Sequence, residues 1–194
     1  MKRREALKNI GLSAGFVLAT PSLFSLLQSC TSDVVTWTPV FLSEEQGVVL
    51  KSIVDIILPK TDTPSATEVN VPEFIDKYAN EVMDLEEQVI LRKAYDNLVV
   101  LIKTEYNDDL SKVSSDNYMA LLDTHMKLPK EETPSEDPTK MTMSQLLNSI
   151  KGMTIWGYRI SETVGETILA YDPVPGAAYC GDLQELTGGK AWSL

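Results

Sequence analysis

Cysteine and histidine are nearly missing from this chain. Its 194 residues hold two cysteines, Cys30 and Cys180, and one histidine, His125. Two thiols do not make a disulfide scaffold, and a lone histidine does not make a histidine-rich metal site. There is no C-x-x-C zinc pair and no C-x-x-C-H haem attachment. Glycine-rich cradles are missing too: neither G-x-G-x-x-G nor a P-loop occurs, which excludes dinucleotide or nucleoside-triphosphate binding by those routes. Beyond residue 30 no apolar run reaches the roughly 18 to 20 residues of a membrane span. Basic charge is scarce, with 17 Lys and Arg against 28 Asp and Glu and a net charge of −11. A field of that sign repels phosphate backbones, so nucleic acid is excluded as a partner.

The little basic charge there is gathers at the start. Lys2, Arg3, Arg4 and Lys8 stand against Glu5, a net of +3, which leaves the remainder near −14. Arg3, Arg4, Leu7 and Lys8 match a twin-arginine export signal. Residues 10–27 are only moderately apolar, diluted by Gly11, Gly15, Pro21 and several serines. That dilution suits a removable signal better than a stable span. An ordinary secretory signal or an uncleaved anchor is the alternative. The run ends Leu27-Gln28-Ser29-Cys30, the pattern of a lipoprotein signal whose cysteine thiol accepts diacylglycerol. Acyl chains gain about 0.8 kcal/mol per buried CH₂, so two or three make a durable anchor. The alternative is an unmodified Cys30, bridged to Cys180. The expected organisation is a signal over 1–29, a tether over 30–42 and one helical domain over 43–194.

The domain reads as all-α. Ser43-Glu44-Glu45-Gln46 is a capping box. Leu50, Ile53, Val54, Ile57 and Leu58 then recur at helical spacing until Pro59 stops the helix. Residues 59–70 are turn formers. Val71-Pro72-Glu73 opens a short helix with Phe74, Ile75 and Tyr78 on its apolar face. A longer helix over 84–106 carries Leu91, Ala94, Tyr95, Leu98 and Ile102. Another, near 115–127 and capped by Ser114 or Ser115, buries Tyr118, Leu121 and Leu122. Residues 129–140 are a proline-containing linker. The pattern predicts one last long helix from Thr142 to Ala170, with Gly157, Ser161 and Gly165 allowing a tight internal crossing. The tail from Tyr171 is irregular.

Chemistry is hard to find in this domain. Asp55, Asp62, Glu68, Glu73 and Asp76 crowd the first loop but lack calcium-loop spacing, and are expected to form a solvated acidic face. Cys180 has no base near it in sequence and reads as a buried thiol. His125 reads as a satisfied helical side chain. An exported chain with a signal for folded cargo and no catalytic apparatus points to an accessory subunit.

Ile56-Ile57-Leu58-Pro59 with Thr63-Pro64-Ser65-Ala66, then Val71-Pro72-Glu73-Phe74-Ile75-Asp76, Trp156-Gly157-Tyr158-Arg159-Ile160-Ser161-Glu162 and Leu169-Ala170-Tyr171-Asp172-Pro173-Val174-Pro175-Gly176 carry a resemblance. Together they are similar to the gluconate 2-dehydrogenase subunit 3 family across most of residues 43–194. The resemblance implies a small subunit of a membrane-associated complex. It implies a large FAD-dependent partner of the glucose–methanol–choline type and, in many members, a cytochrome c with haem c. No cofactor is expected in this chain, and the substrate gluconate is not carried over. The expected location is the periplasmic side of the cell envelope, with a lipid anchor on the membrane. Pro64, Trp156, Tyr158, Tyr171 and Pro175 are candidate partner contacts, rigid aromatics and prolines on or near irregular backbone. Alternatively they pin the tail to the domain's own core. The competing functional readings are a stand-alone envelope lipoprotein that binds a ligand or protein, and an enzyme acting alone through Asp62 or Cys180.

Overall fold

The computed structural model describes residues 37–126, 140–172 and 181–193. Within them the chain forms helices α1 (Glu44–Ile57), α2 (Val71–Glu81), α3 (Leu85–Glu105), α4 (Ser115–Met126), α5 (Met143–Ile160) and the short α6 (Leu183–Thr187). No strand occurs among the described residues, only one isolated parallel bridge between Ala170 and Trp192. The expected all-α class is the observed one.

Helix starts follow local chemistry. Ser43 Oγ accepts the Gln46 N–H at 3.2 Å, and Gln46 Oε1 accepts the Ser43 N–H at 2.9 Å. Thr142 and Gln145 repeat the capping box at the head of α5. Each satisfies two donors that a helix start leaves orphaned. At α2 the chain turns through Asn70, whose φ of 59° is a conformation that Asn tolerates better than most residues. Pro72 then sits in the first turn.

Helices α1 and α5 are the central pair, and each packs against α2, α3 and α4. Val49, Leu50, Ile53 and Val54 of α1 meet Leu146, Leu147 and Ile150 of α5 in a core closed by Tyr95, Leu98, Ile102, Tyr118 and Leu121, all buried. These are the stripes that the periodicity predicts, except that Ile57, Leu58, Phe74 and Tyr78 are only half-buried.

The last helix is shorter than its pattern predicts. It stops at Ile160, and Ser161 leaves it with ψ of 140°. The Ser161 hydroxyl donates to the Tyr158 carbonyl at 2.7 Å, competing with the helical bond that would continue the turn. A separate π-helical turn, Val164–Ile168, follows. The small residues are therefore not one crossing stripe. Gly157 takes the crossing, Ser161 ends the helix, and Gly165 lies beside Ser193 of the returning tail.

A methyl group on Gly157 would lie 2.7 Å from Phe74 Cδ1, whereas one on Gly152 would meet nothing within 4 Å. Glycine costs a helix interior about 1 kcal/mol relative to alanine, and overpacking costs about 1–3 kcal/mol. Gly152→Ala should therefore stabilise the domain by up to about 1 kcal/mol, and Gly157→Ala should destabilise it by about 1–2 kcal/mol. Urea denaturation of both variants checks the opposite signs.

Candidate functional site

The chain just ahead of α1 is held by a buried clamp. Asp76, in the middle of α2, is fully buried. Its carboxylate accepts three consecutive backbone N–H groups, from Val40 at 2.7 Å, Phe41 at 3.0 Å and Leu42 at 2.8 Å. An ionised carboxylate only accepts, so three converging donors are the environment it needs when it leaves water. Phe41 is 1% exposed, and the Arg92 guanidinium lies 4.3 Å from its ring centre. Arg92 Nη1 also donates to the Phe41 carbonyl at 2.7 Å. Next to the clamp, the buried Gln46 amide completes the capping box and donates to Asp96 Oδ1 at 2.8 Å. The end of the stretch expected as a tether is thus docked onto both α2 and α3.

The loop between α1 and α2 is held by its own polar groups. Asp55 Oδ1 accepts the Thr67 N–H at 2.9 Å, and Glu68 Oε2 accepts the Ser65 N–H at 2.9 Å. Lys60 pairs with Glu68. That ammonium, followed by the Ser65 N–H, holds the Glu68 carboxyl below its usual range. The Tyr158 hydroxyl of α5 donates to the Pro64 carbonyl at 2.9 Å and fastens the loop to the bundle.

The surface where α2 meets α5 is aromatic. Trp156 stands edge-on to Phe74, 5.0 Å between centres, and to Tyr78, 5.4 Å. It remains 40% exposed. Close by, Ile75, Tyr78, Ala79, Met83, Leu91, Tyr95, Ser149, Ile150 and Met153 line an apolar cavity of about 50 Å³. In the tail, the Ala170 N–H donates to the Ala191 carbonyl and the Ser193 N–H to the Ala170 carbonyl, both at 2.8 Å. Tyr171, next along, is exposed.

The expected contact residues divide accordingly. Pro64 and Tyr158 bind each other, so they fix the loop internally. Trp156 and Tyr171 reach solvent. Pro175, Arg3, Arg4, Cys30 and Cys180 lie outside the described residues. The acids of the first loop are not one solvated face. Asp62 is exposed, but Asp76 is buried and Asp55 caps a backbone N–H. The clamp was missed, although Asp76 sits among Val71, Pro72, Ile75 and Ala79 on the inward face of α2, a carboxylate at a core position. No group of three or more His, Cys, Asp or Glu among the described residues is placed to hold a metal ion. His125 is half-buried.

A family model described as gluconate 2-dehydrogenase subunit 3 matches residues 44–176, more than half of the chain. No curated protein and no solved structure matches it.

Asp76→Ala would strand three donors or release the segment and expose Phe41 and Leu42. Each buried unpaired group costs about 1–3 kcal/mol, so the expected loss of unfolding free energy is about 3 kcal/mol. Limited proteolysis should open a new cut within residues 38–42, and Asp76→Asn, which keeps one acceptor oxygen, should lose less. A second expectation concerns alkaline pH. Burial, and then the negative Asp76, raise the Tyr95 phenol above its usual value of about 10. Burial raises Tyr118 too. A raised native value means that the stability is fully present below pH 10 and is lost as pH rises beyond it. Urea midpoints should fall above pH 10, less steeply in Tyr95→Phe.

Proposed function

The chain belongs to the gluconate 2-dehydrogenase subunit 3 family, and from that premise we propose that it is a non-catalytic accessory subunit of an FAD-dependent oxidoreductase of the glucose–methanol–choline type. It helps to export, assemble and tether the large flavoprotein. FAD, and in some complexes the haem c of a cytochrome c, belong to the partner subunits. The family match over the helical domain carries this reading.

The proposed sequence of events uses the N-terminus. Arg3 and Arg4 direct the folded pair through the twin-arginine pore to the periplasmic side of the envelope, and lipid on Cys30 then holds it at a membrane. Among the described residues no helix is long and apolar enough to cross a membrane; attachment in this reading is through the lipid. The clamp supports a tether. Load arriving along residues 30–39 meets three charge-assisted hydrogen bonds to the interior of α2, each of which is stronger than a neutral one.

A stand-alone lipoprotein that binds a ligand is the second reading, and the apolar cavity beside Tyr78 is what favours it. At about 50 Å³ that cavity is small beside the roughly 300–1,000 Å³ of ligand pockets. It suits the tip of one apolar side chain, which favours a protein partner.

Changing Arg3 and Arg4 together to lysine should leave the flavoprotein in the cytoplasm, measured by flavin fluorescence of cell fractions. Normal export of the flavoprotein in that strain would remove the escort role. Cys30→Ser should release both subunits from the membrane fraction.

A further inference from the structure

Helix α5 contains two glycines, and the fold explains only one. Gly157 makes room for Phe74. Gly152 is exposed, and a side chain added there would meet nothing. Among the described residues nothing offsets its cost of about 1 kcal/mol to the helix. Around Gly152 the residues three, four, seven and eight positions on are Ile155, Trp156, Arg159 and Ile160. That spacing is the contact stripe of an amphipathic helix, yet this stripe faces outward. Ile155, Trp156 and Ile160 are each 40% exposed.

The charge of this helix is also exceptional. It carries Lys151 and Arg159 and no acid, whereas each of the other described α-helices has a net negative charge. Neither Lys151 nor Arg159 has an ion pair among the described residues, not even Arg159 with Glu162 beyond the helix end.

We propose that the stripe Gly152, Ile155, Trp156, Arg159 and Ile160 receives a helix of the FAD-dependent partner, one with an apolar face flanked by carboxylates that meet Lys151 and Arg159. The proposal rests on the accessory-subunit reading and gives it a surface. Gly152 lets the partner's backbone approach to the roughly 8–10 Å of packed helices. Trp156, already steadied by Phe74 and Tyr78, supplies a large anchor at the centre of the contact, where binding energy concentrates. Charge selects this occupant over a second copy: a two-fold contact would set the same cations against each other. The open position at Gly152 selects a helix over a lipid surface, since fluid acyl chains need no gap in the side chains.

The test uses the full-length chain in detergent, co-expressed with the flavoprotein of its complex, with flavin absorbance and titration as the readout. Gly152→Leu fills the gap and Arg159→Glu reverses the charge. Each should weaken binding at least tenfold while the subunit's own urea midpoint holds or, for Gly152→Leu, rises. An acid-to-arginine change on the partner helix should restore binding to Arg159→Glu. If the wild-type chain binds the flavoprotein and both variants bind equally well, the proposed surface is wrong and the accessory role stands. If the wild-type chain holds no flavoprotein, the accessory role fails and the surface with it. Two other results would overturn the proposal. One is loss of binding to phosphatidylglycerol vesicles with the complex intact, which makes the stripe a lipid face. The other is a wild-type dimer that Gly152→Leu dissociates, which makes it a self-contact.

Discussion

A single buried carboxylate organises one end of this domain. Asp76 lies on the inward face of α2 among aliphatic neighbours, where an unpaired charge would cost several kcal/mol. It is tolerated because the chain ahead of α1 bends to present three N–H groups to it. The same bend drops Phe41 into the core and brings its carbonyl to Arg92. From there Ser43 can cap α1, and the capping glutamine can reach Asp96 of α3. The buried carboxylate thus ties the chain ahead of α1 to α2, and Arg92 ties the same segment to α3.

Helix α5 has the complementary role. Its inner stripe closes the core, and its capping box starts it cleanly. Its outer stripe holds a tryptophan, two isoleucines and an unexplained glycine in the one described α-helix with net positive charge. The hydroxyl of Ser161 ends it before the tail, so Tyr158 and Trp156 fall in a terminal turn. There one ties down the proline loop and the other faces solvent.

Helix positions were legible because their causes are local. Capping residues, Pro59 and Pro72, and apolar spacing within a few turns identify α1 to α4 almost residue by residue. The start of α5 at Thr142 was equally readable. The end of α5 was not, because Ser161 is compatible with a helix until its hydroxyl chooses the backbone carbonyl of Tyr158. The contact residues were half legible. Pro64 and Tyr158 stood out as a proline and an aromatic, but their bond joins residues 94 positions apart, and it shows an internal strut.

What the sequence determined by itself is therefore helices α1 to α4, the start of α5, their apolar inward faces and the family. Each of these depends on composition and short-range order. The tertiary structure alone decided which of the acids faces inward and which glycine is covered. Asp76 reads as one more acid in an acidic loop until residues 40–42, some 35 positions earlier in the chain, bring their N–H groups to it. The two glycines of α5 likewise look alike until Phe74 fills the space over one and leaves the other open. Burial is a property of what arrives from elsewhere in the chain, and side-chain spacing along one helix does not contain that information.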